Sequence, residues 1–134
     1  EQDFIKTLRC IKKHMDKNSK FFIDIFVPHT LFLSREPKQK MKVCEFFDST
    51  KNKETSIYEE LIYDNKKEIM HVKWMYHSEG KIYKKFIFDM KMYYPDTMNR
   101  ILIEEDLKIK NLWGDYNKST FNTESPLQIY ECTL

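Results

Sequence analysis

The sequence predicts an α+β domain in which N-terminal helices precede and cover a long antiparallel β-sheet. Three observations carry this. Apolar residues recur at spacings of three and four near the start, the period drops to two from Thr30 onward, and turn-forming residues cut the remainder into strands with short connections. The chain has 134 residues, of which 41% are apolar and 33% charged. A chain of that size buries roughly two thirds of its unfolded surface, so one globular, soluble domain over 1–134 is expected and the composition does not require disorder.

Phe4, Ile5, Leu8, Ile11 and Met15 place an amphipathic helix over residues 2–16. Ser19 then reads as the N-cap of a second helical segment, in which Phe21, Phe22, Ile25 and Phe26 share a face before Pro28 stops it. Leu31 and Leu33 begin a short strand, and Met41, Val43, Glu45 and Phe47 alternate with Lys42, Cys44 and Phe46 in the next. Residues 57–63, 69–77, 82–94 and 100–110 follow as four long strands, divided by Asp64-Asn65, Ser78-Glu79-Gly80 and Pro95-Asp96. Trp113-Gly114 marks a bend, and residues 127–132 form a last strand.

Parity assigns faces. Met70, Val72, Trp74 and Tyr76 point inward, as do Phe86, Phe88, Met90, Met92 and Tyr94, and Ile101, Ile103, Leu107 and Ile109. Phe86, Phe88, Ile101 and Ile103 are expected in the core. Tyr83, Lys85, Ile87 and Tyr93 fall on the wet face, where aromatic anchors mixed with charges suit a homodimer interface.

Lys and Arg number 23 against 21 Asp and Glu, a net charge of +2, which argues against nucleic acid as the partner. The segment 80–88 superficially resembles an RNA-recognition strand but lacks its second small residue. No run approaches 18 apolar residues, so no membrane span is expected. Cys10, Cys44 and Cys132 form no C-x-x-C pair, which excludes a zinc ribbon or dithiol site and leaves three free thiols, or a Cys10–Cys132 bridge in an oxidising compartment. His71 and His77 share parity but lie about 20 Å apart on an extended strand, too far for one metal ion. No metal and no cofactor is expected. A start at Glu1 fits either a secreted form after signal-peptide removal or an intracellular excised domain, and Asn117-Lys118-Ser119 is a single glycosylation triplet.

Phe4-Ile5 with Leu8 and Ile11, the break Asp16-Lys17-Asn18, then Phe22, Phe26-Val27-Pro28 and Leu31-Phe32-Leu33 resemble the nuclear transport factor two-like superfamily. Across nearly the whole chain the later hairpins, with Gly80 in a turn and Ile101-Leu102-Ile103 opening a late strand, follow the same order. The resemblance implies helices closing one side of a strongly curved, cone-like antiparallel sheet, with a pocket inside and dimerisation through the outer face.

Within such a cone Trp74, Tyr76, Phe86, Met90, Met92 and Tyr94 would line or fill the pocket. Glu105 is the one acid on the inward set of 100–110 and Asp24 interrupts an aromatic run, so these two are the weak candidates for a general base. No catalytic signature is matched. The sequence therefore predicts a noncatalytic binding module for a protein partner or a small apolar ligand, with a dehydratase, isomerase or cyclase using a pocket carboxylate as the alternative and single-stranded nucleic-acid binding as a lesser one.

Overall fold

The computed structural model describes residues 1–29 and 33–134, and its chain divides into two compact units. Unit 1 combines Glu1–His29 with Tyr93–Leu134, and unit 2 is Thr30–Met92. Of the strand expected at Leu31 and Leu33, Leu31 lies outside the described residues and Leu33 is helical rather than extended.

Unit 1 opens with helix α1, Gln2–Lys12, whose Asp3 in the first turn and Arg9 and Lys12 in the last complement the helix dipole. Its end is followed by a turn in which the Asp16 carboxylate accepts from the Asn18 backbone N–H and the Ser19 hydroxyl, while Ser19 Oγ accepts from the Asp16 N–H. Ser19 thus closes a turn rather than capping a helix. The expected second helix is strand β1, Phe21–Phe26. A six-residue run of Phe and Ile satisfies either period, and pairing with a distant strand decides it. Phe21, Ile23 and Ile25 pack on the core while Phe22, Asp24 and Phe26 alternate outward.

The expected strand over 100–110 is also corrected. Helix α2 spans Pro95–Glu104, with Pro95 in its first turn, where its missing N–H costs nothing, and Asp96 beside it. Met98, Ile101 and Leu102 are buried one turn apart, and Ile103 on the opposite side is 64% exposed. At the C-terminus Asp106 takes φ 56°, Leu107 N–H donates to Leu102 O and Asp106 N–H to Ile103 O, a Schellman cap made without glycine. Strand β6, Lys108–Trp113, follows, and β7, Leu127–Thr133, comes last.

These strands form a three-stranded sheet in the order β1-β7-β6. Both outer strands are antiparallel to β7, Phe21 facing Cys132 and Ile109 also facing Cys132, so β1 and β6 run parallel to each other. Leu8 of α1, Met98, Ile101 and Leu102 of α2, and Tyr130 and Cys132 of β7 form one fully buried core. The buried Gln128 is satisfied by donating from Nε2 to Tyr93 O at 2.7 Å and by accepting from the Tyr130 hydroxyl at 3.1 Å.

Unit 2 is a meander of β2 (Met41–Asp48), β3 (Lys53–Asp64), β4 (Ile69–Ser78) and β5 (Lys81–Lys91), paired antiparallel in that order. Its connections are built from side chains that close tight turns. Asp48 accepts from Thr50 and Lys51 N–H, Asp64 from Lys66 and Lys67 N–H, and Glu79-Gly80 form a two-residue turn with both φ values positive. Ile57, Leu61, Met70 and Val72 are buried at the sheet's centre, whereas Phe88 is half-buried and Phe86 is 51% exposed. The cone-like fold is therefore not observed. Among the described elements one helix precedes the first strand, another spans Pro95–Glu104 after the meander, and the strands divide between two sheets rather than curving as one.

Candidate functional site

The residues best placed for chemistry lie on one face of the unit 2 sheet. Register brings Glu59, Trp74 and Phe86 side by side across β3, β4 and β5, with Leu61, Val72 and Phe88 in the next row. Both rows have the parity of Ile57 and Met70, so an acid stands among apolar neighbours. Glu59 is fixed by two donors: Trp74 Nε1 gives to Oε2 at 2.9 Å and Arg35 Nη1 to Oε1 at 3.0 Å. The Trp74 and Phe88 rings meet edge to face at 5.5 Å, and Phe86 tilts against Phe88 at 5.4 Å. A charge-compensated carboxylate held rigidly beside partly open rings can orient a planar or N–H-bearing group by stacking and hydrogen bonding. The expected pocket residues Trp74, Tyr76, Phe86 and Met90 share this face by register. Met92 is fully buried, and Tyr94 is the N-cap residue of α2 in unit 1. Reading the sequence passed over Glu59 although the signal existed, an acid on the same parity as Ile57 and Leu61.

The two candidate bases are engaged elsewhere. Glu105 follows α2 and grips Arg9 of α1 with both oxygens, at 2.9 Å to Nε and 2.8 Å to Nη2, while Lys12 donates to its backbone carbonyl. The hydrogen bond from Arg9, assisted by its charge and that of Lys12 and opposed by burial, holds the Glu105 carboxyl below its usual range. A carboxylate stabilised in that way is a structural clamp and a weak base. Asp24 accepts the hydroxyl proton of Tyr116, a bond that raises the Tyr116 pKa.

Tyr83, Lys85, Ile87 and Tyr93 are not brought onto one face. A register shift between Tyr76 and His77 turns Tyr83 toward Tyr76, its hydroxyl 3.3 Å from Thr55 Oγ1 and its ring under Lys51 Nζ at 4.0 Å. Lys85 and Ile87 keep the opposite parity, and Tyr93 lies in unit 1 with its ring 5.1 Å from Phe4. Cys10 and Cys44 are exposed and Cys132 is buried, all three free. Among the described residues no helix is long and apolar enough to cross a membrane.

With this geometry in view, the fold has solved counterparts. An S-adenosylmethionine-dependent methyltransferase from Clostridium acetobutylicum ATCC 824 superposes with a TM-score of 0.72 at 16% identity, over 99% of this chain and 51% of that one. The CcbJ methyltransferase from Streptomyces caelestis gives 0.76 at 14% identity, over 96% of this chain and 52% of that one. The chain shares the fold of the matched half of each of these structures. It spans about half the length of each of these structures. No family model and no curated protein matches the sequence. These likenesses overturn the nuclear transport factor two-like resemblance, which rested on a helix-helix-strand opening that the chain does not adopt. The noncatalytic binding module and the dehydratase, isomerase or cyclase alternative fall with it, since both were drawn from a cone that is absent.

The residues present do not make a cofactor site for S-adenosylmethionine by themselves. A nucleoside-bearing cofactor of this kind is held where a glycine-rich turn leads from a strand into a helix and lets backbone N–H groups approach it. The sequence has two glycines. Gly80 lies in the β4–β5 turn, and Gly114 follows β6 where a Cβ would collide with Ser125, so neither opens a helix. Helix α2 is entered through Tyr94-Pro95 instead.

Proposed function

We propose that this chain supplies the acceptor side of an S-adenosylmethionine-dependent methyltransferase, with the cofactor held by residues outside these 134. The likeness over nearly the whole chain to half of two methyltransferases is the observation that carries this reading. A second feature supports it. Strand β1 runs along the edge of its sheet with no strand on its outer side among the described residues, and it presents Phe22 and Phe26, a surface suited to a neighbouring strand. In this reading Trp74, Tyr76, Phe86 and Met90 bind the apolar body of the acceptor, Glu59 orients its polar group, and Arg35 holds Glu59 in place.

Calorimetric titration of S-adenosylmethionine and a methyl-transfer assay test the proposal on the longest natural polypeptide containing this chain. We expect binding and transfer there, no binding by residues 1–134 alone, and loss of transfer with retained cofactor binding in Trp74→Ala and Glu59→Gln. A polypeptide that binds no S-adenosylmethionine, or one whose transfer is indifferent to both substitutions, overturns it.

Self-association is a separate proposal. Ile62 and Ile87 are exposed beside a depression of about 330 Å³ on the opposite face of the unit 2 sheet. Sedimentation at high concentration giving only the monomer mass removes it.

A further inference from the structure

The face of the unit 2 sheet that carries Glu59 and Trp74 continues, beyond its rings, into a cluster of lysines. Register places Ile57, Tyr76 and Lys84 in the row next to Glu59, Trp74 and Phe86, and sets Asp48 opposite Lys53 at the end of the same face. The bulge after Tyr76 brings Tyr83 to this side, its ring centre 6.2 Å from that of Tyr76. The Lys51 and Lys53 ammoniums stand 4.0 and 4.7 Å from the centre of the Tyr83 ring, and the Lys84 ammonium 5.6 Å from that of Tyr76. Three ammoniums thus gather on two neighbouring rings.

The charge balance of the face gives the sign of what it lacks. Its two strand carboxylates are both engaged, Glu59 by Arg35 at 3.0 Å and Asp48 by Lys51 at 3.8 Å. Lys53 and Lys84 pair with no carboxylate among the described residues. On the opposite face acids outnumber lysines among the strand residues, and Lys42 and Lys73 are each paired, with Glu45 at 2.7 Å and Glu60 at 2.8 Å. The excess of positive charge therefore belongs to the face with the open rings. Lys51 and Lys53 repel each other across one tyrosine ring, so an anion placed between them and Lys84 gains from each.

We propose that the acceptor held on this face is itself an anion, a planar head bearing an N–H or O–H donor joined by a short flexible arm to a carboxylate or phosphate. The head lies on Trp74 and Phe86 and donates to Glu59, and the oxyanion is taken by Lys84 and Lys53. Lys84 stands two residues before Phe86, about 7 Å along the strand, so an arm of about three or four carbons reaches its ammonium. A cationic head is disfavoured, because Arg35 already cancels the charge of Glu59. This inference rests on reading the face as the acceptor side and names the class of acceptor.

The test is a nuclear magnetic resonance titration of residues 1–134 with indole-3-butyrate and with its neutral amide, without S-adenosylmethionine, following the Trp74 indole N–H and the Lys84 amide. Saturable shifts with a Kd at or below about 1 mM are expected for the acid, with the amide at least about tenfold weaker. In the Lys53→Gln, Lys84→Gln double variant the acid should fall to the affinity of the amide while the amide is unaffected, which also shows that the variant is folded. Lys85→Gln, on the opposite face, should change neither. An indole whose arm of equal length ends in phosphate separates the two oxyanions: tighter binding than the acid assigns phosphate, weaker binding assigns carboxylate. Acid and amide that bind alike to the natural chain, shifts that never saturate, or an advantage of the acid that persists in the double variant overturn the proposal. A chain that prefers the acid while its longest natural polypeptide transfers no methyl group keeps the anion subsite and loses the methyl-transfer reading; the reverse result removes the subsite alone.

Discussion

Unit 1 and unit 2 solve the same problem, burying apolar side chains, by opposite routes. In unit 1 two helices lie on one face of a three-stranded sheet, and Leu8, Met98, Ile101, Leu102, Tyr130 and Cys132 lose all contact with water. Unit 2 is a meander of hairpins in which Ile57, Leu61, Met70 and Val72 are buried, and Phe46, Phe47, Phe86 and Ile87 stay exposed. The difference teaches where stability and recognition reside. A closed core resists change and offers little to a ligand, while a sheet that leaves rings and carboxylates at its surface has material for binding on both faces.

The largest effect that would sharpen this contrast is in the cores. Ile101→Ala in unit 1 should cost about 2–5 kcal/mol, Phe88→Ala in unit 2 about 1–3, and Phe86→Ala, half exposed, less than about 1, because the cost follows the burial lost and the cavity left. Denaturant melts measure all three. An equal loss at Ile101 and Phe86 would erase the distinction.

The two glycines give the next contrast. A Cβ on Gly114 would stand 2.1 Å from Ser125 Oγ and 2.8 Å from Ser125 Cβ, so Gly114→Ala should cost about 1–3 kcal/mol by overpacking. Gly80 has open space around it but φ +72°, and Gly80→Ala should cost about 1 kcal/mol through left-handed strain alone. A combined Gly114→Ala, Ser125→Gly variant that recovers stability in the same melts would confirm the cause at Gly114.

Smaller effects appear with pH, and they come from different groups in the two units. The Glu105 carboxyl is lowered by Arg9 in the folded chain, so its contribution is present above the unfolded value of about 4.3 and is lost as pH falls through the folded one. His77 is lowered by burial, so the unfolded chain binds its proton first, and stability declines as pH drops below about 6.5 until the folded ring also protonates. Thermal melts over that range should lose the acid limb in Glu105→Gln and the limb near neutrality in His77→Gln. Least costly of all is a labelling experiment. Cys10 and Cys44 are exposed, whereas burial, together with Glu131, pushes the Cys132 thiol up to about 11. Iodoacetamide should modify two thiols in the native chain and the third at the rate at which unit 1 opens.

How much of this was legible in the sequence depended on whether the evidence was local. The hairpins of unit 2 were readable because Asp64, Glu79 and Gly80 mark turns at the places where alternation stops. The Phe21–Phe26 run was not, since its pairing residues lie in β7 at the far end of the chain. The α2 helix was missed for a different reason. Ile101-Leu102-Ile103 is β-rich by composition, the Pro95-Asp96 step serves a helix start as well as a turn, and the helix ends on Asp106 rather than glycine. On the site, register puts Trp74, Tyr76, Phe86 and Met90 on one face, with Phe86 half exposed, while Arg35 could not be joined to Glu59 without coordinates, because nothing in the spacing links them.

The pairing of β1 with β7, at the other end of the chain, sets an order on folding during synthesis. Each hairpin of unit 2 joins neighbours in sequence, so it can close as soon as its second strand leaves the ribosome. Strand β1 has no such neighbour. Its partner β7 is made only after all of unit 2 and α2, and at about 5–20 residues per second the Phe-rich β1 waits several seconds with its edge and its core-facing side uncovered. The nascent chain therefore passes through a state in which unit 2 is formed and the beginning of unit 1 is sticky, and a chaperone that recognises short aromatic strands would find its target in Phe21–Phe26.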